Sequence, residues 1–294
     1  MKKAPETLMQ YLESIHTTKS ADSYHYSIVK FLCTNPDAEK YTYQHIVDYL
    51  LQLKDEGAAG TYRAKILASI KKYYDYLIAI EVRNNHPCRR LQIKDNRKKG
   101  LNFEELFSME ELELLLIREE RYRYLGHRNK LLISLLIYQG LTSDEIVRLT
   151  VQDIDVEEAT IRVKASRKLS GRTLAMHRKQ VMLVDRYLED ARPFLLRKTI
   201  PTNKLMITKL GKPESVDGIH SMLEQLKGLF PHKKLHSKSI RMSVIANWLN
   251  ERKIPLEDVQ LMAGHKWPSS TERYYRENLE EQRKLINEFH PLNR

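Results

Sequence analysis

Residues 235–275 read LHSKSIRMSVIANWLNERKIPLEDVQLMAGHKWPSSTERYY. Ile240, Val244, Ile245, Trp248 and Leu249 recur at helical spacing, so the first part predicts a helix with one face to bury. A second helix is expected from Pro255, a residue favoured in a first turn, and carries Leu256, Val259, Leu261 and Met262. It should stop at Gly264, where a left-handed cap costs little. His265 then falls just past a helix end, and Tyr274 and Tyr275 follow one short loop later. Arg241, His265 and a tyrosine pair are thus set around two short apolar helices.

The chain around this stretch has 294 residues, 41% hydrophobic and 30% charged, enough to bury sizeable cores in one or two domains. A formal net charge of +12 points to a polyanionic partner, most simply nucleic acid. Cys33 and Cys88 form no CxxC pair, so neither a zinc site nor a disulfide framework is indicated. A reducing, cytoplasmic setting is expected. The longest apolar run, Leu131 to Tyr138, is too short to span a bilayer, and no apolar core follows the N-terminal lysines as in a signal peptide. No membrane partner is expected.

The N-terminal part reads as helices at Thr7 to Ile15, Ser20 to Leu32, from near Thr42 to Gly57, and from an N-cap at Thr61 to about Ile80. On the last, Ile66, Ile70, Tyr73 and Leu77 share one face, with Thr61, Ala64, Lys65, Ala68, Lys71 and Lys72 on the other side. Small residues between cations let a helix approach a phosphate backbone closely; a solvated basic face is the plainer alternative. Residues 84–100, NNHPCRRLQIKDNRKKG, are polar, basic and aperiodic, the pattern of a linker.

Ser108 opens a second domain with a capping box to Glu111, and Arg128 to Tyr138 predicts a buried helix. Next come Gly140, Leu141 and Thr142, and Thr142 with Glu145 forms another capping box. A small antiparallel sheet is expected from residues 153–155, 160–164 and 172–176. The loop before its last strand gathers Lys164, Arg167, Lys168 and Arg172. Residues from Gln180 to Leu210 predict a helix, a loop and a strand-like Leu205-Met206-Ile207; Ser215 to Leu229 and Asn278 to Phe289 predict amphipathic helices.

Ile240-Arg241, Gly264-His265, and Tyr274 nine residues past the histidine resemble, in order and spacing, the C-terminal half of the tyrosine recombinase family, the phage integrases and Xer-type recombinases. The resemblance implies a mainly α fold with a small antiparallel sheet, built as a two-domain C-shaped clamp on double-stranded DNA. Residues 1–83 would be a core-binding domain, 84–107 a basic linker and 108–294 the catalytic domain. It implies Tyr274 as nucleophile, with Tyr275 the weaker candidate. Arg241, Lys238 and His265 would hold the nonbridging oxygens. Lys168 would protonate the leaving oxygen, with Lys164 and Arg167 as rivals. Lys65, Lys71, Lys72, Arg167 and Arg172 are the expected DNA contacts. No metal, cofactor or ATP is expected. A homotetramer on two sites, in a prokaryotic or mobile-element nucleoid setting, follows from the same resemblance.

Two positions depart from the family pattern. Where it reads G-L-R-x-x-E-L with a phosphate-gripping arginine, this chain has Thr142; three residues before Arg241 stands Lys238 rather than histidine, with His236 two positions further upstream. Lysine is an accepted variant there, but a hydroxyl cannot replace a guanidinium fork at Thr142. Arg167 or Lys168, aided by Lys238, is therefore expected to take over part of that role. The chemistry implied is attack by Tyr274 on a phosphodiester, giving a 3′-phosphotyrosyl link and a 5′-hydroxyl that can later reseal. A tyrosine ordinarily ionises near pH ~10, so cations around the phosphate must favour the phenolate. The rivals are a type IB topoisomerase and a DNA-binding regulator of recombinase descent that has lost catalysis, for which Thr142 argues.

Overall fold

In the computed structural model, residues 7–94, 101–197 and 200–276 are described. They fall into two compact units, Met1–Lys99 and Gly100–Arg294. Four helices make the first: α1 (Leu8–Ile15), α2 (Thr18–Thr34), α3 (Tyr43–Asp55) and α4 (Gly60–Ala79). Thr7 caps α1 in a reciprocal pair with Gln10, and the His45 ring accepts from the Thr42 amide at the start of α3. Gly57 lies at φ +84°, which lets the chain turn after α3. Helix α4 begins earlier than expected: Ala59 is its N-cap and Thr61 lies inside the first turn. Leu12, Ile28, Phe31, Ile46 and Ile70 are fully buried, and the buried Tyr74 hydroxyl donates to the Ala38 carbonyl at 2.8 Å.

The polar stretch expected as a linker is, at its start, fastened to these helices. Cys88 is buried in their core with Leu91 and Ile93 packed against it. Lys71 donates to the Leu91 carbonyl at 2.7 Å, and Arg83 donates to the carbonyls of Glu39 and Tyr41. These cations satisfy backbone oxygens that an irregular loop leaves without ladder partners. A reading of polarity alone does not reveal such a use.

The second unit surrounds α6 (Arg123–Tyr138), which follows α5 (Met109–Ile117). Leu131, Leu132, Leu135, Leu136 and Ile137 are fully buried, so α6 is apolar all round where it crosses the core. It is longer than the apolar run suggests, because its first turns carry Tyr124 and Leu125 as partly buried contacts. Then come α7 (Ser143–Arg148) and the antiparallel strands β1 (Ile154–Asp155), β2 (Thr160–Val163) and β3 (Arg172–Ala175) in that spatial order. Ile161 pairs with Ile154 on one side and Leu174 on the other.

Helices α8 (Arg178–Arg186) and α9 (Arg192–Leu196) are joined by a π turn, and α10 is Val216–Glu224. The last three helices are α11 (Ser237–Asn250), α12 (Leu256–Ala263) and α13 (Ser269–Glu272). Val244, Ile245, Trp248 and Leu249 of α11 enter the same core as α6. Polar groups inside it are paired. The Gln139 and Gln180 amides donate to each other at 2.7 Å, and Arg128 pairs with Glu214 while donating to the Ile207 carbonyl. The molecule is mainly α with one small antiparallel sheet. No described helix is long and apolar enough to cross a membrane. The expected tail helix from Asn278 lies outside the described residues.

Candidate active site

Helix α11 starts at a cap supplied by His236, whose Nδ1 accepts from the Ser239 amide at 2.8 Å. Its second turn carries Arg241, only 8% exposed. Arg241 donates to the Gly140 carbonyl at 2.6 Å and to the Ala263 carbonyl at 2.5 Å. It therefore links the end of α6 to the C-terminus of α12, where unpaired carbonyls favour a cation. Gly264 ends α12 in the left-handed region at φ +69°, as its position after the apolar pattern predicts.

His265 comes next. Its amide donates to the Gln260 carbonyl, and its Nδ1 lies 2.8 Å from the Thr271 hydroxyl. Burial, then the charges of Arg241, Arg172 and Arg273, push its pKa down to about 4 against the opposing pull of Glu145. The imidazole is therefore neutral at pH 7 in the free protein. Its ring stacks with that of Tyr274, centroids 6.1 Å apart and planes 15° from parallel. Tyr274 is 8% exposed, and Asn250 holds its carbonyl at 2.8 Å. Tyr275 is 59% exposed. Arg241, His265 and Tyr274 are brought together from three elements, and the neighbouring tyrosine is turned away.

Glu145 stands behind this group. Its carboxylate accepts from the Thr142 amide at 2.9 Å and from the Thr142 hydroxyl at 3.0 Å, closing the capping box of α7. The other oxygen takes Arg172 Nη1 at 2.6 Å, and Arg241 Nη1 lies 3.9 Å from the first. Burial alone would raise this carboxyl; the hydrogen bond and charge of Arg172, the Thr142 amide and Arg241 together hold it below the ordinary carboxylate value. Arg172 also donates to the Met262 carbonyl at 2.7 Å.

Arg172, expected as a DNA contact, is buried beside this group, its side chain 6% exposed. The reason lies in Gly264, since a Cβ there would sit 2.6 Å from Arg172 Nη1. The missing side chain makes room for the guanidinium. The hairpin loop is pinned over the same place, because the Ser170 amide donates to the Gly264 carbonyl at 2.9 Å and Leu169 bridges His265.

The other expected residues are placed differently. Lys168 and Arg167 are exposed on the hairpin loop, and Lys238 is exposed on the first turn of α11. Lys164 pairs with Asp153 at 3.2 Å. In the first unit Lys65 is exposed, Lys71 is tied to the Leu91 carbonyl and Lys72 pairs with Asp75 at 3.3 Å. Glu145 was legible in the sequence only as a local cap, and nothing there reveals that it faces two arginines. Among the described residues, no group of three or more His, Cys, Asp or Glu side chains is placed to hold a metal ion.

This arrangement can hold an anion near a tyrosine, and comparison with known proteins says which class does so. The phage integrase family profile matches residues 106–281. The chain belongs to this family of tyrosine recombinases, which break and rejoin DNA. Among its curated relatives, tyrosine recombinase XerD of Halalkalibacterium halodurans is 27% identical over 261 residues, covering 86% of this chain and 83% of that one. XerD of Staphylococcus saprophyticus is 26% identical over 248 residues, covering 81% and 79%. Solved structures share the fold. The XerH site-specific recombinase bound to its difH substrate matches at TM-score 0.71 and 17% identity, over 94% of this chain and 84% of that one. A lambda integrase tetramer bound to a Holliday junction matches at 0.67 and 15%, over 92% and 75%.

Proposed function

We propose that this chain performs site-specific DNA strand exchange with Tyr274 as nucleophile. The observation that carries the reading is the packing of the His265 ring against that of Tyr274, with the buried Arg241 donating to the Ala263 carbonyl two residues before His265. In this reading the Tyr274 oxygen bonds to phosphorus and the P–O5′ bond breaks. The phenol proton passes to water, and the departing 5′ oxygen takes one proton from Lys168, the exposed cation on the hairpin loop. Arg241 and His265 hold the nonbridging oxygens, and Lys238 approaches from the start of α11. The phosphodiester energy is stored in the tyrosyl link, so resealing by another 5′-hydroxyl needs neither ATP nor metal.

The net charge of +12 supports a duplex DNA partner, contacted in the first unit by Lys65. Residues 1–83 would serve as the core-binding part and 108–294 as the catalytic part. Assembly as a tetramer on two sites is proposed by likeness to the lambda integrase complex. Integration, excision or inversion of a segment are the outcomes such an enzyme produces.

A second reading, a DNA-binding regulator of recombinase descent, is favoured by the neutral Thr142 at a position that the family fills with arginine. One experiment separates the two. The full chain is incubated with a nicked suicide duplex whose sequence has been selected by binding from a random pool, and the products are run on a denaturing gel. A covalent protein–DNA band supports the enzyme; binding without any band supports the regulator.

A further inference from the structure

The site contains a second guanidinium, from outside the stretch that carries Arg241, His265 and Tyr274. Arg241 arrives on α11 and donates to the Gly140 and Ala263 carbonyls with two of its five N–H groups. Arg172 arrives on β3, from the far end of the cation-rich loop, and lies inside the same wall. Two buried cations this close repel, and each lowers the readiness of His265 to take a proton. Between them stands a single carboxylate, Glu145, with Arg172 on one oxygen at 2.6 Å and Arg241 by the other at 3.9 Å. With His265 neutral, the cluster of these four groups carries an excess of one positive charge. A phosphodiester brings one negative charge.

The donors of Arg172 are also incompletely used. Nε serves Met262 and Nη1 serves Glu145 and Ser170, but Nη2 is buried and has no hydrogen-bond partner among the described residues. A charged donor left unmet in the interior is costly and asks for an acceptor. Thr142 cannot be the cation here, and its hydroxyl is turned inward to Glu145. Gly264 permits the close approach that any larger residue would block.

We propose that Arg172 is a catalytic residue, the second guanidinium that grips a nonbridging oxygen of the scissile phosphate, in place of a side chain at position 142. This rests on the strand-exchange reading above. It differs from what the loop's composition suggests, since Arg167 and Lys168 are exposed while Arg172 is buried beside Arg241 and His265. Strand β3 supplies the charge that α7 lacks, and Glu145 fixes its orientation as it would an arginine on its own helix. The bonds made and broken are those already given. Arg172 adds a donor to oxygens on which negative charge grows as phosphorus becomes five-coordinate.

The test uses the full chain, the selected suicide duplex, and the same duplex carrying a methylphosphonate at the cleaved position found by sequencing the adduct. On the phosphate duplex, Arg172→Ala should cut adduct formation by roughly 10²–10³-fold at saturating DNA, with binding retained. Arg172→Lys should fall between. On the methylphosphonate, which has no charge to neutralise, Arg172→Ala should recover to near the parental rate on that same duplex, while Tyr274→Phe should not. A variant equally impaired on both duplexes would make Arg172 a structural support and overturn the proposal. So would Arg172→Ala cleaving phosphate at the parental rate. A parental chain that forms no adduct at all would instead sink the strand-exchange reading, and this inference with it.

Discussion

Glu145 on α7 and Arg172 on β3 form a buried ion pair at 2.6 Å, with the side chains 1% and 6% exposed. The pair ties the hairpin to the helix that follows α6, and it does so beside Arg241 and His265. Its removal should therefore be felt in stability as well as in chemistry. Glu145→Ala leaves two buried guanidiniums without their carboxylate and should cost roughly 3–5 kcal/mol, read from urea unfolding of the full chain. Glu145→Gln keeps the α7 cap in part and should cost less.

The same carboxyl sets an acid limit. Its folded pKa lies below the ordinary carboxylate value, so its contribution to stability is present above that ordinary value and is lost as pH falls through the folded one. Unfolding curves between pH 5 and 3 should show a steeper fall for the parental chain than for Glu145→Gln. Equal slopes would mean that folding does not shift the ionisation of Glu145.

His265 gives a second pH signature with the same proton balance, set at higher pH. Its folded pKa, about 4, lies below the ordinary histidine value, so the unfolded chain binds the extra proton first. Native stability should fall as pH drops from about 6.5 towards about 4, and His265→Gln should remove that part of the slope. In the free protein, the His265 ring should titrate near pH 4 by NMR. DNA binding should move the midpoint upward, because a phosphate favours the imidazolium. A free-protein midpoint at the ordinary histidine value would contradict the buried, cation-flanked setting.

Gly264→Ala tests how the cleft is made. The residue has φ +69°, and the added Cβ would lie 2.6 Å from Arg172 Nη1 and 3.0 Å from the Ser170 carbonyl. The left-handed backbone alone should cost about 1–2 kcal/mol. Displacing Arg172 adds a loss of adduct formation that a purely backbone effect would not give. A destabilised Gly264→Ala that still cleaves at the parental rate would separate the two roles.

In the first unit, the lysines should divide by what they already hold. Lys65→Ala should lower the slope of log K against log salt by about 1 while leaving stability unchanged. Lys71→Ala should destabilise instead, since it removes the donor that Lys71 gives to the Leu91 carbonyl at 2.7 Å. If the salt slope changes for Lys71→Ala and not for Lys65→Ala, the assignment is reversed.

What the sequence made legible follows from how far apart the cooperating residues lie. Arg241, His265 and Tyr274 fall within one stretch of two helices and a loop, so helix periodicity, a glycine cap and the nine-residue spacing place them together. The helices and the sheet were readable for the same reason, because caps and alternation are local. Arg172 meets Glu145 across 27 residues and Met262 across 90. No period links such positions, and in the sequence the arginine reads only as a DNA contact of a basic loop. Its burial depends on Gly264, whose visible purpose is only to end a helix. The first turns of α6 were missed because their contacts are half-buried, and the hold of Arg83 and Lys71 on backbone carbonyls has no sequence pattern.

The central claim is that Tyr274 forms a covalent bond to DNA. The direct measurement is mass mapping of the peptide trapped on the selected suicide duplex, alongside adduct yields for Tyr274→Phe and Tyr275→Phe. The nucleotide should map to Tyr274, Tyr274→Phe should give no adduct with duplex binding intact, and Tyr275→Phe should retain the adduct. A nucleotide mapped to Tyr275, or an adduct that survives Tyr274→Phe, would contradict the claim.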